Sequence, residues 1–218
     1  MQVLLWDNDG VLVDTEHLYF EATRDALART GIALSLDHYR ELNLRQGRSC
    51  FDLALDAGVS LEATAALKRE RDAAYHARVC AGVELIDGVR DTLAALHGRF
   101  PMAIVTSSRP ENLHAVHRHH GIDRYFDLVV ASGDYARSKP HPDPYLEAAR
   151  RLGVDPTVCT VIEDSERGLR AALAAGMQCL VIPNELTRSA DFSGAHRILT
   201  NIREVPTHLP PIPSRPTP

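Results

Sequence analysis

The sequence predicts an α/β fold in which a Rossmann-like parallel sheet core carries a small all-helical insert. Three observations lead to this prediction. Short apolar runs alternate with helical patterns over most of the 218 residues, which is typical of a parallel sheet covered by helices. One stretch near the N-terminus breaks the alternation and has only helical patterns. Several apolar runs end in acidic, hydroxyl-bearing or basic residues, and ligands of such folds gather outside the carboxyl ends of the strands.

Five apolar runs are predicted to form the strands. They lack the alternation of polar and apolar residues that marks half-exposed strands, which favours buried parallel strands. The runs are Gln2–Trp6, Met102–Val105, Leu128–Ala131, Val158–Ile162 and Gln178–Ile182, and the helices predicted to cover them are Val89–His97, Glu111–His120, Pro144–Leu152 and Glu166–Ala175.

The stretch between the first two strands predicts a separate helical cap, punctuated by glycines and returning to the core through residues 83–88. We predict a core of residues 1–15 and 83–205 and a cap of residues 16–82. Residues 206–218 contain six prolines and are predicted to form an extended or disordered tail that cannot build a core. The predicted cap helices are Leu18–Arg29, Leu36–Arg45, Cys50–Ala57 and Leu61–Arg78.

Composition narrows the class of protein. Apolar residues make up 44% and charged residues 24% of the chain, which is ordinary for a soluble globular protein. The net charge of −5 gives no reason to expect nucleic acid or a membrane as a partner, and we expect a monomer.

The four cysteines form no CxxC pair, so free thiols in a reducing compartment are expected. No apolar run approaches the roughly 20 residues that span a bilayer, and no signal-peptide pattern opens the chain, so a cytoplasmic location is expected.

The first predicted strand ends in two aspartates, Asp7 and Asp9, separated by one residue. In an extended chain their carboxylates point the same way and repel each other unless a cation lies between them. A hard divalent cation with oxygen ligands meets that requirement. Taken alone, a solvated aspartate-rich turn is an equally good interpretation of this segment.

Three further strand ends carry matching chemistry. Thr106 to Arg109 places hydroxyls and free backbone N–H groups before a helix, which suits an anionic oxygen. Lys139 supplies a cation in a loop, and Glu163 and Asp164 end another strand. Each feature alone is more typical of a helix cap or a solvated side chain. Their coincidence at one edge of a parallel sheet favours an active site.

These motifs resemble those of the haloacid dehalogenase superfamily, in the subgroup that contains β-phosphoglucomutase and many small-molecule phosphatases. The resemblance covers the core from Val3 to about Pro183, and across the insert it is only architectural. It implies a phosphohydrolase that depends on Mg²⁺ and acts on a small phosphorylated substrate. The matching segments are Asp7–Gly10 (DxDG), Val13–Glu16, Thr106, Lys139–Pro140, Glu163–Ser165, Gly168 and Gly176.

The resemblance also implies roles for the core residues. Asp7 would attack phosphorus and form an aspartyl-phosphate, and Asp9 would act first as acid and then as base. Thr106 and Lys139 would hold the transferring phosphoryl oxygens. The groups implied for the Mg²⁺ site are Asp7, the backbone carbonyl of Asp9, Asp164, and Glu163 acting through water or by orienting Lys139.

The insert leaves the substrate open. Where β-phosphoglucomutase has a histidine and an arginine that contact its sugar, this chain aligns with Tyr19 and Cys50. A shifted alignment would bring in His17 and Arg48 instead. A phosphatase is therefore the first hypothesis, and a phosphohexomutase, which shares every core residue, is the second. Substrate contacts are predicted for Thr15, Glu16, Arg45, Arg48, Ser107, Ser108 and Arg109. Arg45 and Arg48 flank Gly47, and the resemblance implies that the cap loop near this glycine faces the active site.

Three other functions fit the sequence less well. A dehalogenase would have no use for Asp9, and a phosphonatase would need a Schiff-base lysine in the cap, where Lys68 is the only candidate. A non-catalytic binding protein would have no chemical need for the complete set of core residues. The histidines between His114 and His120 resemble a metal tract, but no carboxylate or thiol accompanies them, so a solvated helix end is favoured.

Overall fold

Six strands form one sheet in the computed structural model, which describes residues 2–210. All pairings are parallel, in the order β3-β2-β1-β4-β5-β6, so the α/β prediction is confirmed. The last strand was not predicted, because two exposed residues leave no apolar run to recognise. The strands are β1 (Val3–Trp6), β2 (Met102–Val105), β3 (Leu128–Val130), β4 (Cys159–Glu163), β5 (Gln178–Val181) and β6 (Arg197–Ile198).

The central strand is buried on both faces. Leu4 and Trp6 pack into one apolar cluster, and Val3 and Leu5 pack into another on the opposite face. Helices cover both clusters, which explains why the strand lacks alternation of polar and apolar residues. The core helices are α5 (Val89–Leu96), α6 (Pro110–His120), α7 (Asp143–Leu152) and α8 (Glu166–Ala174).

A helical insert, residues 16–81, follows β1 and has an apolar core of its own. Tyr39, Phe51 and Ala54 are fully or almost fully buried in that core. The segment predicted as one helix from Leu36 is an α-helix that continues as a π-helix. The elements of the insert are α1 (Glu16–Ala28), α2 (Leu36–Tyr39), the π-helix Arg40–Arg45, α3 (Asp52–Asp56) and α4 (Leu61–Ala81).

Two chain segments cross between the insert and the core. Val13 on the outgoing segment pairs antiparallel with Leu85 on the returning one. The Ile86 N–H donates a hydrogen bond to the Leu12 carbonyl at 3.0 Å. The crossing places the start of α1 directly beside the end of β1. Among residues 2–210, no helix is both long and apolar enough to cross a bilayer.

The C-terminal prediction is wrong for its first residues. A 3₁₀-helix spans Ile202–His208 with Pro206 inside it. Leu209 is 9% exposed and belongs to the same apolar cluster as Trp6. Proline is compatible with this short helix. The prediction considered only the proline content, whereas the apolar residues around Pro206 are buried in the core. Residues 211–218 of the predicted tail lie outside the described residues.

Candidate active site

Asp7 and Asp164 meet at the carboxyl edge of the sheet. Asp7 follows β1 and Asp164 follows β4, and these strands are neighbours, with Trp6 in register with Ile162. The chain order reverses between β1 and β4, which is where open α/β sheets form their ligand crevice. One carboxylate oxygen from each of Asp7, Glu163 and Asp164 lies within 4.8 Å of the others.

Lys139 is the buried cation of this cluster. Its Nζ donates to Asp7 Oδ1 at 2.8 Å, to Glu163 Oε1 at 2.7 Å and to the Val105 carbonyl at 3.0 Å. An ammonium group has three donors, so all three are used. The lysine therefore fixes the Asp7 carboxylate against the end of β2.

Glu163 orients Lys139 and has no oxygen left over. Its Oε1 also accepts from the Tyr145 hydroxyl at 2.7 Å. Its Oε2 accepts from the Asp164 N–H at 3.1 Å and the Ser165 hydroxyl at 3.0 Å. Although burial raises the pKa of Glu163, the charge and hydrogen bonds of Lys139 hold it below the ordinary value. Of the two roles considered for Glu163, this geometry corresponds to orientation of the lysine.

The other two carboxylates remain short of positive charge. Burial raises the pKa of Asp7 to about 7, and Glu163 adds to the shift. Burial and the Glu163 and Asp7 carboxylates hold the pKa of Asp164 well above its ordinary value. Asp164 Oδ2 accepts one hydrogen bond, from the Asn184 amide at 2.7 Å. Among the described residues, Asp7 and Asp164 each keep one carboxylate oxygen without a hydrogen bond. Two such buried carboxylates with too little counter-charge fit a divalent cation with oxygen ligands.

Gly10 is required for this approach of the two segments. Its φ is +84°, and a Cβ at this position would lie 2.3 Å from Asp164 Oδ2. Gly168 serves Glu163 in the same way, because a Cβ there would lie 1.9 Å from the Glu163 carboxyl group. Both glycines therefore let a backbone segment pass close to a buried carboxylate.

Asp9 is held by three hydroxyl groups. Its Oδ1 accepts from Thr15 Oγ1. Its Oδ2 accepts from Thr106 Oγ1 at 3.1 Å and from Ser108 Oγ at 2.7 Å. Thr15, Thr106 and Ser108 were predicted to contact the substrate or its phosphoryl oxygens. In this structure all three donate hydrogen bonds to Asp9.

Asn8 anchors the loop between the two aspartates. Its side-chain oxygen lies 2.7 Å from His117 Nε2, and His117 Nδ1 lies 2.9 Å from an Asp123 carboxylate oxygen. His117 is fully buried, so the expected solvated helix end is wrong for this histidine. Burial lowers the pKa of His117, although Asp123 acts in the opposite direction. The asparagine in the DxDG motif thus ties the loop to α6.

One cavity of about 560 Å³ opens above the aspartates. Of the predicted substrate residues, Glu16, Ser107, Ser108 and Arg109 line it. Arg45 and Arg48 are not among the lining residues. Arg45 instead lies 3.0 Å from Glu41 and 3.4 Å from Glu166, and Arg48 lies 3.1 Å from Asp52. Arg45 and Arg48, on either side of Gly47, were predicted to face the substrate. In the structure both arginines form salt bridges with neighbouring carboxylates instead.

Helix α4 supplies the wall of the cavity that the sequence interpretation missed. Its positions 69, 72 and 76 follow the i, i+3, i+7 spacing of one helix face, a signal that could have been found. Asp72 accepts from Arg109 at 2.5 Å, and His76 Nδ1 lies 2.7 Å from Asn112 Oδ1. These contacts join the insert to α6. The missed lining residues are Asn43, Arg69, Arg71, Asp72, Ala73, Tyr75, His76, Glu111, Asn112, Ser132 and Arg167.

The two positions aligned with the mutase sugar contacts differ in placement. Tyr19 lines the cavity, and the Arg71 guanidinium lies 4.3 Å from its ring centroid. Cys50 is 4% exposed inside the apolar core of the insert. Lys68, the lysine considered for a Schiff base, is not among the residues that line the cavity; its Nζ lies 5.9 Å from the Phe51 ring centroid.

Comparison with known proteins places the chain among hydrolases. The family model for haloacid dehalogenase-like hydrolases matches residues 1–176. The chain is 34% identical over 177 residues to a fructose-1-phosphate phosphatase of Escherichia coli (81% of this chain, 94% of that protein). It is 31% identical over 182 residues to a phosphorylated carbohydrates phosphatase of Thermotoga maritima (82% and 83%). A mutant of CbbY from Rhodobacter sphaeroides, solved in complex with xylulose-(1,5)bisphosphate, superposes with a TM-score of 0.80 at 29% identity, covering 94% of this chain and 96% of that one.

Proposed function

Because the chain belongs to the haloacid dehalogenase-like hydrolase family and is a phosphoric monoester hydrolase, we propose that it removes phosphate from a small phosphorylated sugar through an aspartyl-phosphate on Asp7. The observation that carries this proposal is the placement of Asp7, Asp9 and Lys139 together in one cavity. Relatives named for phosphorylated sugars support the substrate class. All four cysteines are free, which supports a reducing compartment such as the cytoplasm.

Mg²⁺ is the proposed metal. Within residues 2–210, Asp7 and Asp164 each have a carboxylate oxygen without a hydrogen bond that could bind it. The backbone carbonyl of Asp9 is the third protein ligand that we propose. Glu163 would support the site through Lys139, since both of its oxygens already accept hydrogen bonds. When bound, the ion supplies positive charge to the phosphoryl oxygens and to Asp7.

The chemistry divides between the two aspartates. An Asp7 oxygen forms a bond to phosphorus while the bond from phosphorus to the ester oxygen breaks, and protonated Asp9 gives its proton to that leaving oxygen. Asp9 then takes a proton from a water molecule, which attacks phosphorus and releases phosphate from Asp7. Lys139 binds the charge that develops on the phosphoryl oxygens. The hydroxyls of Thr15, Thr106 and Ser108 hold Asp9 in place for both transfers.

Removal of divalent metal should abolish the activity. We expect protein treated with a chelator to release no phosphate above background from any member of a panel of sugar phosphates, phosphoglycolate and nucleotides. Added Mg²⁺ should restore turnover, and Ca²⁺ should restore it poorly because its looser coordination misaligns the oxygens. Phosphate release is measured directly, with chelator pre-saturated by Mg²⁺ as the control. Full activity in metal-free buffer would contradict the metal assignment.

Water should be the normal acceptor of the phosphoryl group. A phosphohexomutase has to exclude water from the aspartyl-phosphate by closing its cap on the sugar. Here the two aligned cap positions offer the phenol of Tyr19 and a thiol, Cys50, that is buried away from the cavity. We expect β-glucose 1-phosphate, supplied with a trace of the bisphosphate, to give slow phosphate release and no glucose 6-phosphate. Rapid isomerisation with little free phosphate would favour the mutase instead.

A further inference from the structure

Arg167 is a cavity cation that the proposed chemistry leaves unused. It is the second residue of α8 and lines the cavity above Asp7. Its Nε is buried without a hydrogen-bond partner in the part of the chain that the structure describes. Within residues 2–210, its guanidinium makes neither a side-chain hydrogen bond nor a salt bridge. By contrast, Arg170 on the same helix is paired with Glu166.

Two features of this placement are unfavourable for the fold. The first turn of a helix carries the positive end of the backbone dipole, so a cation there is unfavourable. Burial of the Arg167 Nε without a hydrogen-bond partner among the described residues is also unfavourable. Although burial lowers the pKa of Arg167, the Glu16 and Asp7 carboxylates nearby keep it above the ordinary value. The side chain therefore stays charged, and its donors stay available to something inside the cavity.

An acceptor lines the same cavity on the side of the insert. The Tyr39 hydroxyl donates to Glu16 Oε1, and Asn43 Nδ2 donates to the Tyr39 oxygen at 3.0 Å. These bonds orient the Glu16 carboxylate, and within residues 2–210 its second oxygen has no hydrogen-bond partner. Glu16 and Arg167 both line the cavity without forming a salt bridge. Donors from the core and an acceptor from the insert are therefore both available to a ligand in this space.

We propose that Arg167 selects the leaving group, by donating hydrogen bonds to hydroxyl or carbonyl oxygens of a phosphorylated sugar while Glu16 accepts from a hydroxyl of the same molecule. This inference rests on the proposed function and names the residue that favours a polyhydroxyl leaving group over an apolar one. Lys139 acts on the phosphoryl group, so the two cations have separate tasks. A polyol offers both donor and acceptor oxygens, which matches such a pair of residues.

The test compares two esters that differ in the leaving group. One is the sugar phosphate that the wild-type enzyme hydrolyses fastest in the panel above, and the other is p-nitrophenyl phosphate, which has no hydroxyl groups. Arg167→Met should lower kcat/KM for the sugar phosphate about 10- to 100-fold, as expected for loss of a charged hydrogen bond, and change it less than about threefold for the aryl ester. Arg167→Lys should recover part of the loss. Arg170→Met, three residues along and outside the cavity, is the matched control and should leave the ratio of the two kcat/KM values unchanged.

The outcomes separate this inference from the proposed function. Equal losses on both esters in Arg167→Met would overturn the inference and leave the phosphatase standing, since Arg167 would then act on the phosphoryl group or on the fold. Wild-type kcat/KM on both esters in Arg167→Met would overturn the inference as well. A wild-type enzyme that releases phosphate from no ester would overturn the proposed function and this inference together. Thermal unfolding of each variant shows whether a loss on both esters arises from the fold.

Discussion

Replacing Asp7 by asparagine should reduce turnover by at least about 10³-fold, because a neutral amide cannot form the acyl-phosphate. The fold should survive the change. Burial already raises the pKa of Asp7 to about 7, so the ionised carboxylate is not a source of stability, and an amide oxygen can still accept from Lys139. Phosphate release measured with Mg²⁺ present, and urea unfolding measured without metal on the same preparation, test the two halves of the expectation.

Asp14→Asn is the matched control for that experiment. Asp14 is exposed and lies seven residues along the same segment, so its replacement should leave both activity and stability close to wild type. Asp7→Asn activity within about tenfold of wild type would rule out Asp7 as the nucleophile. Loss of the folded state in Asp7→Asn would leave the activity result without meaning, and labelling of wild-type Asp7 by phosphate would then decide the question.

Replacing Lys139 by methionine should impair both activity and stability. Lys139 is 4% exposed and lies within 2.8 Å of the Asp7 and Glu163 carboxylates. Its loss removes a donor to the phosphoryl group, which should cost about 10²–10³-fold in kcat. It also leaves two buried carboxylates without their cation, which should lower the free energy of unfolding by about 3–5 kcal/mol. Steady-state kinetics and urea unfolding measure the two effects.

The chain provides its own control for this substitution, since Lys68 is the only other lysine. Lys68 is outside the cavity lining, and its contact near the Phe51 ring is of a kind usually worth about 0.5–1 kcal/mol. Lys68→Met should therefore keep wild-type kinetics and lose no more than about that free energy. Comparable kinetic losses in both variants would contradict the placement of Lys139 at the reacting phosphate.

The reactive residues of the core were predictable from the sequence because they directly follow the strands. An apolar run followed at once by a polar residue identifies both a buried parallel strand and the edge at which its last side chain emerges. Asp7, Thr106 and Asp164 could be placed at one edge of the sheet on that basis alone. Lys139 could be placed in a loop, but its bonds to two carboxylates could not be read from its position.

The insert was less predictable, because a helix carries several polar faces and the sequence does not say which one meets the core. Arg45 and Arg48 were selected for their closeness to Gly47, whereas α4 presents Asp72 and His76 to the cavity. His117 was interpreted as solvated because no carboxylate or thiol accompanies the histidines of that segment. Its partner Asn8 is 109 residues away, so no local pattern could reveal that contact.

The sequence by itself determined the fold class and the set of reactive groups, since both follow from local runs of apolar residues and the polar residues that end them. Only the tertiary structure decided how those groups are paired and which side chains are left free. Hydrogen bonds and burial depend on distances between segments far apart in the chain. In the sequence, Arg167 follows the acidic residues Glu163 and Asp164, and nothing there distinguishes it from an exposed residue of α8. Its place in the cavity, and its lack of a partner within residues 2–210, became visible only when the insert was packed against the carboxyl edge of the sheet.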